Sequence, residues 1–255
     1  MENALLIGLS RQIALSRELE VVANNIANLN TTGYKADGSV FEEFLRSGAR
    51  AEQFQGADRR LSYVHDRATW HDFSPGPVQQ TGNPLDVAID GDGFLVVQTP
   101  RGERYTRNGA LQLNASGQLV TSEGYEVQGE AGPIQFQATD RDTAIGADGT
   151  ITVREGANIK SDAVRGKLRL VRFERKGQLQ KDGSSLFAAP NGVTPQAAPK
   201  VRVAQGAIEQ SNVRGVVEMA RMVEVTRTYS QIAGLLQQQG DLRRNAIDKL
   251  AEVPA

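Results

Sequence analysis

The chain of 255 residues contains no cysteine. A disulfide framework, a zinc–thiolate site and a cysteine nucleophile are therefore excluded. The lack of thiols also suits a chain that crosses into an oxidising compartment. Histidine is scarce: His65 and His71 stand six residues apart around Trp70. That is not the four-residue spacing of a helical zinc pair, so a structural or exposed role is expected for both. Aromatic residues make up 5% and hydrophobic residues 39% of the chain. This is thin for one dense core and suits long helices joined to turn-rich segments. Neither sign of charge prevails, with 29 Lys and Arg against 30 Asp and Glu. No basic excess points to nucleic acid, and no acidic tail marks a disordered protein. No apolar run approaches about 18 residues, so membrane insertion is not expected. The opening MENALLIGLSRQ lacks the basic start and small-residue cleavage site of a secretory signal. There is no G-x-S-x-G elbow, no P-loop and no G-x-G-x-x-G after a strand, so neither enzyme activity nor a cofactor is expected.

What is present begins with two helical patterns. Leu15, Leu19, Val22, Ile26 and Leu29 follow spacings of 4, 3, 4 and 3, a heptad seam within a helix expected over about 3–29. Leu5, Leu9 and Ile13 form an earlier stripe on a shifted phase. Gly33 is the expected stop. At about 1.5 Å per residue this rod is roughly 40 Å long. A second helix is expected over about 212–251, capped by Ser211 or Asn212, with Met222, Val225, Tyr229, Ile232 and Leu236 on its seam. Two long helices with one apolar stripe each cannot bury those stripes alone; each other, or other copies, must cover them.

Between the helices the period changes to two. Leu85, Val87 and Ile89 alternate before the turn Asp90-Gly91-Asp92-Gly93 and the run Phe94 to Val97. Leu111 and Leu113 alternate before Asn114-Ala115-Ser116-Gly117, which turns into Leu119-Val120. Asp148-Gly149 precedes Ile151 and Val153. Turn signals about every ten residues describe an all-β domain over 80–205. The expected fold class is α+β. An N-terminal helix (1–33) and a C-terminal helix (206–255) form a coiled-coil-like layer, an extended arm covers 34–79, and the β domain lies between. Phe41, Phe44 and Leu45 suggest a short helix within the arm, and NGVTPQAAPK (191–200) reads as a loop.

Candidate chemistry is sparse. Asp86, Asp90 and Asp92 form an acidic cluster, but calcium needs six to eight oxygen ligands and the loop lacks that series. A hairpin turn is the simpler reading of Asp90–Gly93. Paired glycosidase carboxylates flank a cleft, which one turn rarely provides. Arg104, Arg107, Arg165, Lys167, Arg169 and Arg172 are balanced by neighbouring acids and lack interleaved aromatics, so no nucleic-acid face is expected. Met219 and Met222, with Val223 and Tyr229, form either an adaptable binding stripe or an ordinary helix seam. Glu218 and Arg227 on the same helix could set interhelical register through charge.

Three stretches occur in order: NNIANLNTTGYK, then QQTGNPLDVAIDGDGFLVVQTPRGERYTRNGALQLNASGQLVTSEGYEVQG, then EQSNVRGVVEMARMVEVTRTYSQI. The chain resembles, over nearly its whole length, the flagellar rod and hook proteins of bacteria. The short passage from VHDRATW to FSPGPVQQTG resembles the proximal-rod branch more than the distal-rod branch, which usually carries a longer insert. The resemblance implies a non-enzymatic structural subunit, exported unfolded by the flagellar type III apparatus without signal-peptide cleavage. It implies location in the basal body, as part of a rod crossing the periplasm. The implied partners are other copies of the chain and neighbouring rod proteins. The helices would pair in an inner layer that surrounds the export channel and conducts torque.

The implied assembly surface on the first segment comprises Leu19, Val22, Ile26 and Leu29, the amides Asn24, Asn25 and Asn28, and the turn Thr32, Gly33 and Tyr34. On the last segment it comprises Glu218, Met219, Met222, Val225, Tyr229, Ile232 and Leu236. The amides raise a particular question, because Asn is a mediocre helix former. An amide buried without a partner costs roughly 1–3 kcal/mol, so buried Asn residues would set register against a neighbour. Asn24 and Asn28 lie four apart on one face, and Asn25 points elsewhere. The plain alternative is that Asn28 and Asn30 end the helix in solvent. A rival from another class is a secreted β-domain enzyme acting on polysaccharide, with helices that only oligomerise it.

Overall fold

The computed structural model describes residues 2–47, 60–155, 162–183 and 185–251. The chain divides into two compact units. One comprises residues 1–27, 37–71 and 214–255, and the other 28–36 and 72–213.

The first unit contains helix α1, Glu2–Ala27, and helix α2, Gly215–Ala251. They run antiparallel. Asn25 lies by Glu218, Glu18 pairs with Arg221, and Gly8 lies against Leu236. The absence of a side chain at Gly8 lets Leu236 approach, since a Cβ there would come within 2.6 Å of its Cδ2. α2 begins at Gly215, past the caps expected at Ser211 and Asn212. The Asn212 amide is engaged elsewhere, and Ser211 Oγ accepts from the N–H of Val213. The same unit holds an antiparallel hairpin of β1, Asp37–Ser47, and β2, Arg60–His71. Its register runs from Asp37 opposite His71 to Ser47 opposite Arg60, with a shift between Val40 and Phe41. The short helix expected over Phe41, Phe44 and Leu45 is thus strand. Its antiparallel register with Arg60–His71 overrides a weak three-residue spacing.

The second unit is built on strands. Phe94–Thr99 is central and pairs antiparallel with Gly102–Thr106, Glu126–Gly129 and Leu170–Arg172. Its alternation divides two cores. Leu95 and Val97 join Val87, Leu111, Val127 and Ile151 on one side. Phe94 and Val96 join Tyr105, Phe173 and Phe187 on the other. The Tyr105 and Phe173 rings meet edge to face at 4.7 Å. Each fully buried side chain of this kind contributes roughly 1.5–3 kcal/mol, so the central strand anchors both faces.

Leu111–Leu113 and Leu119–Thr121 form the expected hairpin. Asn114 Oδ1 accepts from the N–H groups of Ser116 and Gln118, both at 2.9 Å. The Asp90–Gly93 turn is not a hairpin turn. Val87–Asp90 pairs with Arg202–Gln205, whereas Phe94–Thr99 belongs to the larger sheet. Two glycines in the turn let the chain change ladders, and the returning strand 202–205 takes the place a hairpin partner would occupy. Within 191–200, Gln196–Ala197 forms a short strand on Val171–Arg172, and the rest is turn and loop.

Candidate functional site

The second unit closes around a buried knot of three charges drawn from distant parts of the chain. Glu209 stands on strand Ala207–Glu209, paired with Val78–Gln80. Its Oε1 accepts from Lys35 Nζ at 2.6 Å and from the N–H of Gly76 at 2.8 Å. Its Oε2 accepts from Arg107 Nε at 2.7 Å. Lys35 also donates to the carbonyl of Ser74 at 2.7 Å. The remaining Arg107 nitrogens reach the carbonyls of Ile89, Gly91 and Gly93 at 3.0–3.1 Å. All three side chains are buried. Burial alone would push the Glu209 carboxyl up, but Arg107 and Lys35 outweigh it and hold the group below its ordinary 4.5. Burial pulls the Lys35 ammonium below its ordinary value, and Glu209 opposes that pull. A buried ion pair lasts only when its remaining hydrogen bonds are made, and here Ser74, Gly76 and the three carbonyls make them.

The backbone around the knot is fitted closely. Gly33 has φ +68 and donates its N–H to the Glu209 carbonyl at 2.8 Å. A Cβ on Gly33 would meet the backbone of Arg107 and Asn108, so the segment TTGYK crosses where only glycine fits. Tyr34 is buried, with the Lys181 ammonium 3.6 Å from its ring centroid. Asn212 ties together the places where the chain enters and leaves this unit. Its Oδ1 accepts from Ala36 N–H at 2.8 Å, and its Nδ2 donates to the carbonyl of Asp72 at 2.8 Å.

In the first unit the helices bury Ala14, Val21, Val22, Asn25 and Val225. Asn25 resolves the question of the amides for itself. Its Nδ2 donates to the Asp37 carbonyl at 2.8 Å and its Oδ1 accepts from the Asp37 N–H at 2.9 Å. It thereby imitates a strand neighbour and fastens the start of β1 to α1. A longer contact of 3.4 Å reaches Glu218 on α2. His71, at the end of β2, bonds Asp37 Oδ1 through Nδ1 at 2.7 Å.

The other expected surface residues fall into three groups. Leu19, Ile26, Tyr229, Ile232 and Leu236 are half-buried, as are Glu218, Asn28, Leu29 and Thr32; Asn24 is exposed. Gly33 and Tyr34 are enclosed in the second unit. Met219 and Met222 are exposed. Further apolar side chains also stand in the open: Leu9 and Ile13 on α1, and Val216, Val217, Val223 and Leu242 on α2. Val216 and Val223, 84% and 69% exposed, are seven residues apart on the side of α2 opposite Val225.

The acidic cluster serves the fold. Asp86 accepts from Thr81 Oγ1 and Asn83 Nδ2, and Asp92 pairs with Lys176. Most of the basic residues singled out from sequence have acidic partners: Arg104 with Asp182, Arg165 with Asp140 and Glu155, Lys167 with Glu130, and Arg169 with Glu103. The special place of Arg107, and the roles of Lys35 and Glu209, are not visible in local sequence. The one hint is a lone charge in each of the stretches TTGYK and VAQGAIEQ.

This is an α+β protein whose two long helices leave several apolar side chains exposed among the described residues. Three family models match it in order. "Flagella basal body rod protein" covers residues 5–35, "Flagellar hook protein FlgE/F/G D1 domain" covers 88–153, and "Flagellar basal body rod FlgEFG protein C-terminal" covers 204–249. The chain is 35% identical to the flagellar basal-body rod protein FlgF of Caulobacter vibrioides over 254 residues, 99% of this chain and 100% of that one. It is 33% identical to FlgF of Escherichia coli K12 over 90% of each chain. It is also 33% identical to the rod protein FlgG of Agrobacterium fabrum, over 89% of this chain and 91% of that one. The chain belongs to the flagellar basal-body rod protein family.

Proposed function

We propose that the chain is a structural subunit of the proximal flagellar rod, an FlgF, assembling through its terminal helices into a helical tube. The tube transmits torque and surrounds the export channel. The observation that carries this reading is the row of exposed apolar residues on the outer sides of α1 and α2, in a chain of this family. Single exposed apolar residues are ordinary on a surface, but a stripe along long helices marks a face that meets a partner. The surface on which copies and neighbouring rod proteins pack comprises Leu9, Ile13, Val216, Met219, Met222 and Val223. The half-buried seam residues Leu19, Ile26, Leu29, Tyr229, Ile232 and Leu236 flank it, with Asn24, Asn28 and Thr32 at its edge. Val22, Asn25 and Val225, with Glu218 beside them, hold the helix pair itself. Gly33 and Tyr34 act on assembly through the fold of the second unit. The full-length match to an FlgF relative and the short passage between β2 and residue 80 favour the proximal over the distal rod. Delivery is by the flagellar type III apparatus.

The test is to isolate hook–basal bodies from motile cells and quantify the chain by mass spectrometry against the distal rod protein. The proposal expects the chain in rods stripped of hook and filament. Basal bodies of normal composition without it would overturn the proposal.

A further inference from the structure

The sequence contains two Asn-Gly pairs, Asn108-Gly109 and Asn191-Gly192, and the fold treats them in opposite ways. Asn108 is buried, its Oδ1 accepting from the Ala110 N–H at 3.0 Å and its Nδ2 donating to Ser122 Oγ at 3.3 Å. The following peptide is held too: the Gly109 carbonyl accepts from the Val87 N–H at 2.9 Å, and a Cβ on Gly109 would overlap the Val87 carbonyl oxygen. Asn191 and Gly192 are both exposed. They are the central residues of a turn closed by the Val193 N–H on the Pro190 carbonyl at 3.1 Å. Gly192 has φ +89 and no atom within 4 Å of where a Cβ would stand. A positive φ at the second central residue alone makes this a type II turn. Among the described residues the Asn191 side-chain amide makes no hydrogen bond.

We propose that Asn191 is a site of spontaneous deamidation, and that the fold protects Asn108 from the same reaction. The backbone nitrogen of Gly192 attacks Cγ of Asn191. An N–Cγ bond forms, the nitrogen loses its proton to solvent, and the side-chain nitrogen leaves as ammonia, giving a five-membered succinimide. Water then opens the ring at either carbonyl and yields aspartate or isoaspartate. Glycine favours the attack because no side chain blocks its nitrogen and the peptide rotates readily. An exposed turn leaves both atoms free to meet, whereas at Asn108 two side-chain hydrogen bonds and a closed packing hold them apart. The product places a carboxylate in a turn whose Gly192 carbonyl already lies 3.5 Å from Arg175 Nη2. Isoaspartate would also lengthen the backbone next to Val193, which packs on the aromatic core.

The test is peptide mapping by mass spectrometry of the purified full chain, kept warm at mildly alkaline pH with and without urea. In the folded chain Asn191 is expected to convert at least about tenfold faster than Asn108, a barrier difference of about 1.4 kcal/mol. In urea the two rates are expected to converge, which ties the difference to the fold. Equal rates in the folded chain would overturn the proposal. So would an Asn191 that survives folded but converts in urea. Replacement by Asn191→Ser is expected to abolish the charge heterogeneity of aged protein; heterogeneity that persists unchanged would locate the reaction elsewhere and count against it.

Discussion

Three residues set the terms of the second unit. Glu209 is the anion that Lys35 and Arg107 share. Glu209→Gln would leave two buried cations facing a neutral amide. Breaking a buried pair from one side costs about 3–5 kcal/mol, and the urea midpoint is expected to fall accordingly. An unchanged midpoint would mean that the knot is not structural. The carboxyl is held below its ordinary 4.5, mainly because Arg107 and Lys35 overcome the effect of burial. A depressed folded value means that the knot's contribution is complete above the unfolded value and is lost as pH falls through the folded one. Acid titration followed by circular dichroism is therefore expected to show stability falling below pH 4.5, with the loss reduced in the Gln variant, where Asp140 and Asp148, also held low by their hydrogen bonds, still titrate. At Gly33, Ala would pay at least about 1–2 kcal/mol for the left-handed conformation, beyond its collision with Arg107 and Asn108. Thermal melting of Gly33→Ala measures that sum. Of these, only Gly33, the expected helix stop, was legible in sequence: Lys35 and Glu209 are separated by 174 residues, and local spacing does not report a contact made by the return of the chain.

At the scale of elements the sequence was more informative, because periodicity is a local property. The change from period 3.6 to period 2 marks both helices and the strand region. The α1 end was expected near Leu29 with Gly33 as the stop; the helix ends at Ala27, and Asn28-Leu29-Asn30 already form the turn. The hairpin 37–71 was obscured because Phe41 and Phe44 imitate a helix, and because its partner strand lies beyond residues 48–59. The amides of α1 were legible as groups that need partners, but their partners were not. Asn25 serves the backbone of Asp37 in its own chain, and reaches toward α2 at Glu218. Asn25→Ala is expected to cost about 1–3 kcal/mol by removing the side-chain partner of the Asp37 peptide groups. Hydrogen exchange reads this directly: the Asp37 amide is expected to exchange faster in the variant, while amides of the Phe94–Thr99 strand stay as protected as in the wild type. An unaltered Asp37 amide would deny Asn25 this role.

For the whole molecule, the two units divide the labour. The second closes its own two cores and its charged knot. The first encloses a narrow seam and leaves Leu9, Ile13, Val216, Met219 and Val223 in solvent. Ordinary surface substitutions change stability by no more than about 0.5 kcal/mol, so a charge at an outer position separates folding from assembly. Val223→Asp carries the central claim, since Val223 lies opposite the seam residue Val225. The decisive measurement is the amount of this variant in hook–basal bodies, relative to wild type, in cells lacking the native chain, alongside the urea midpoint of the purified variant. The account predicts a wild-type midpoint, rods depleted of the chain and a loss of swimming. A variant that folds normally, fills the rod and supports wild-type motility would contradict it.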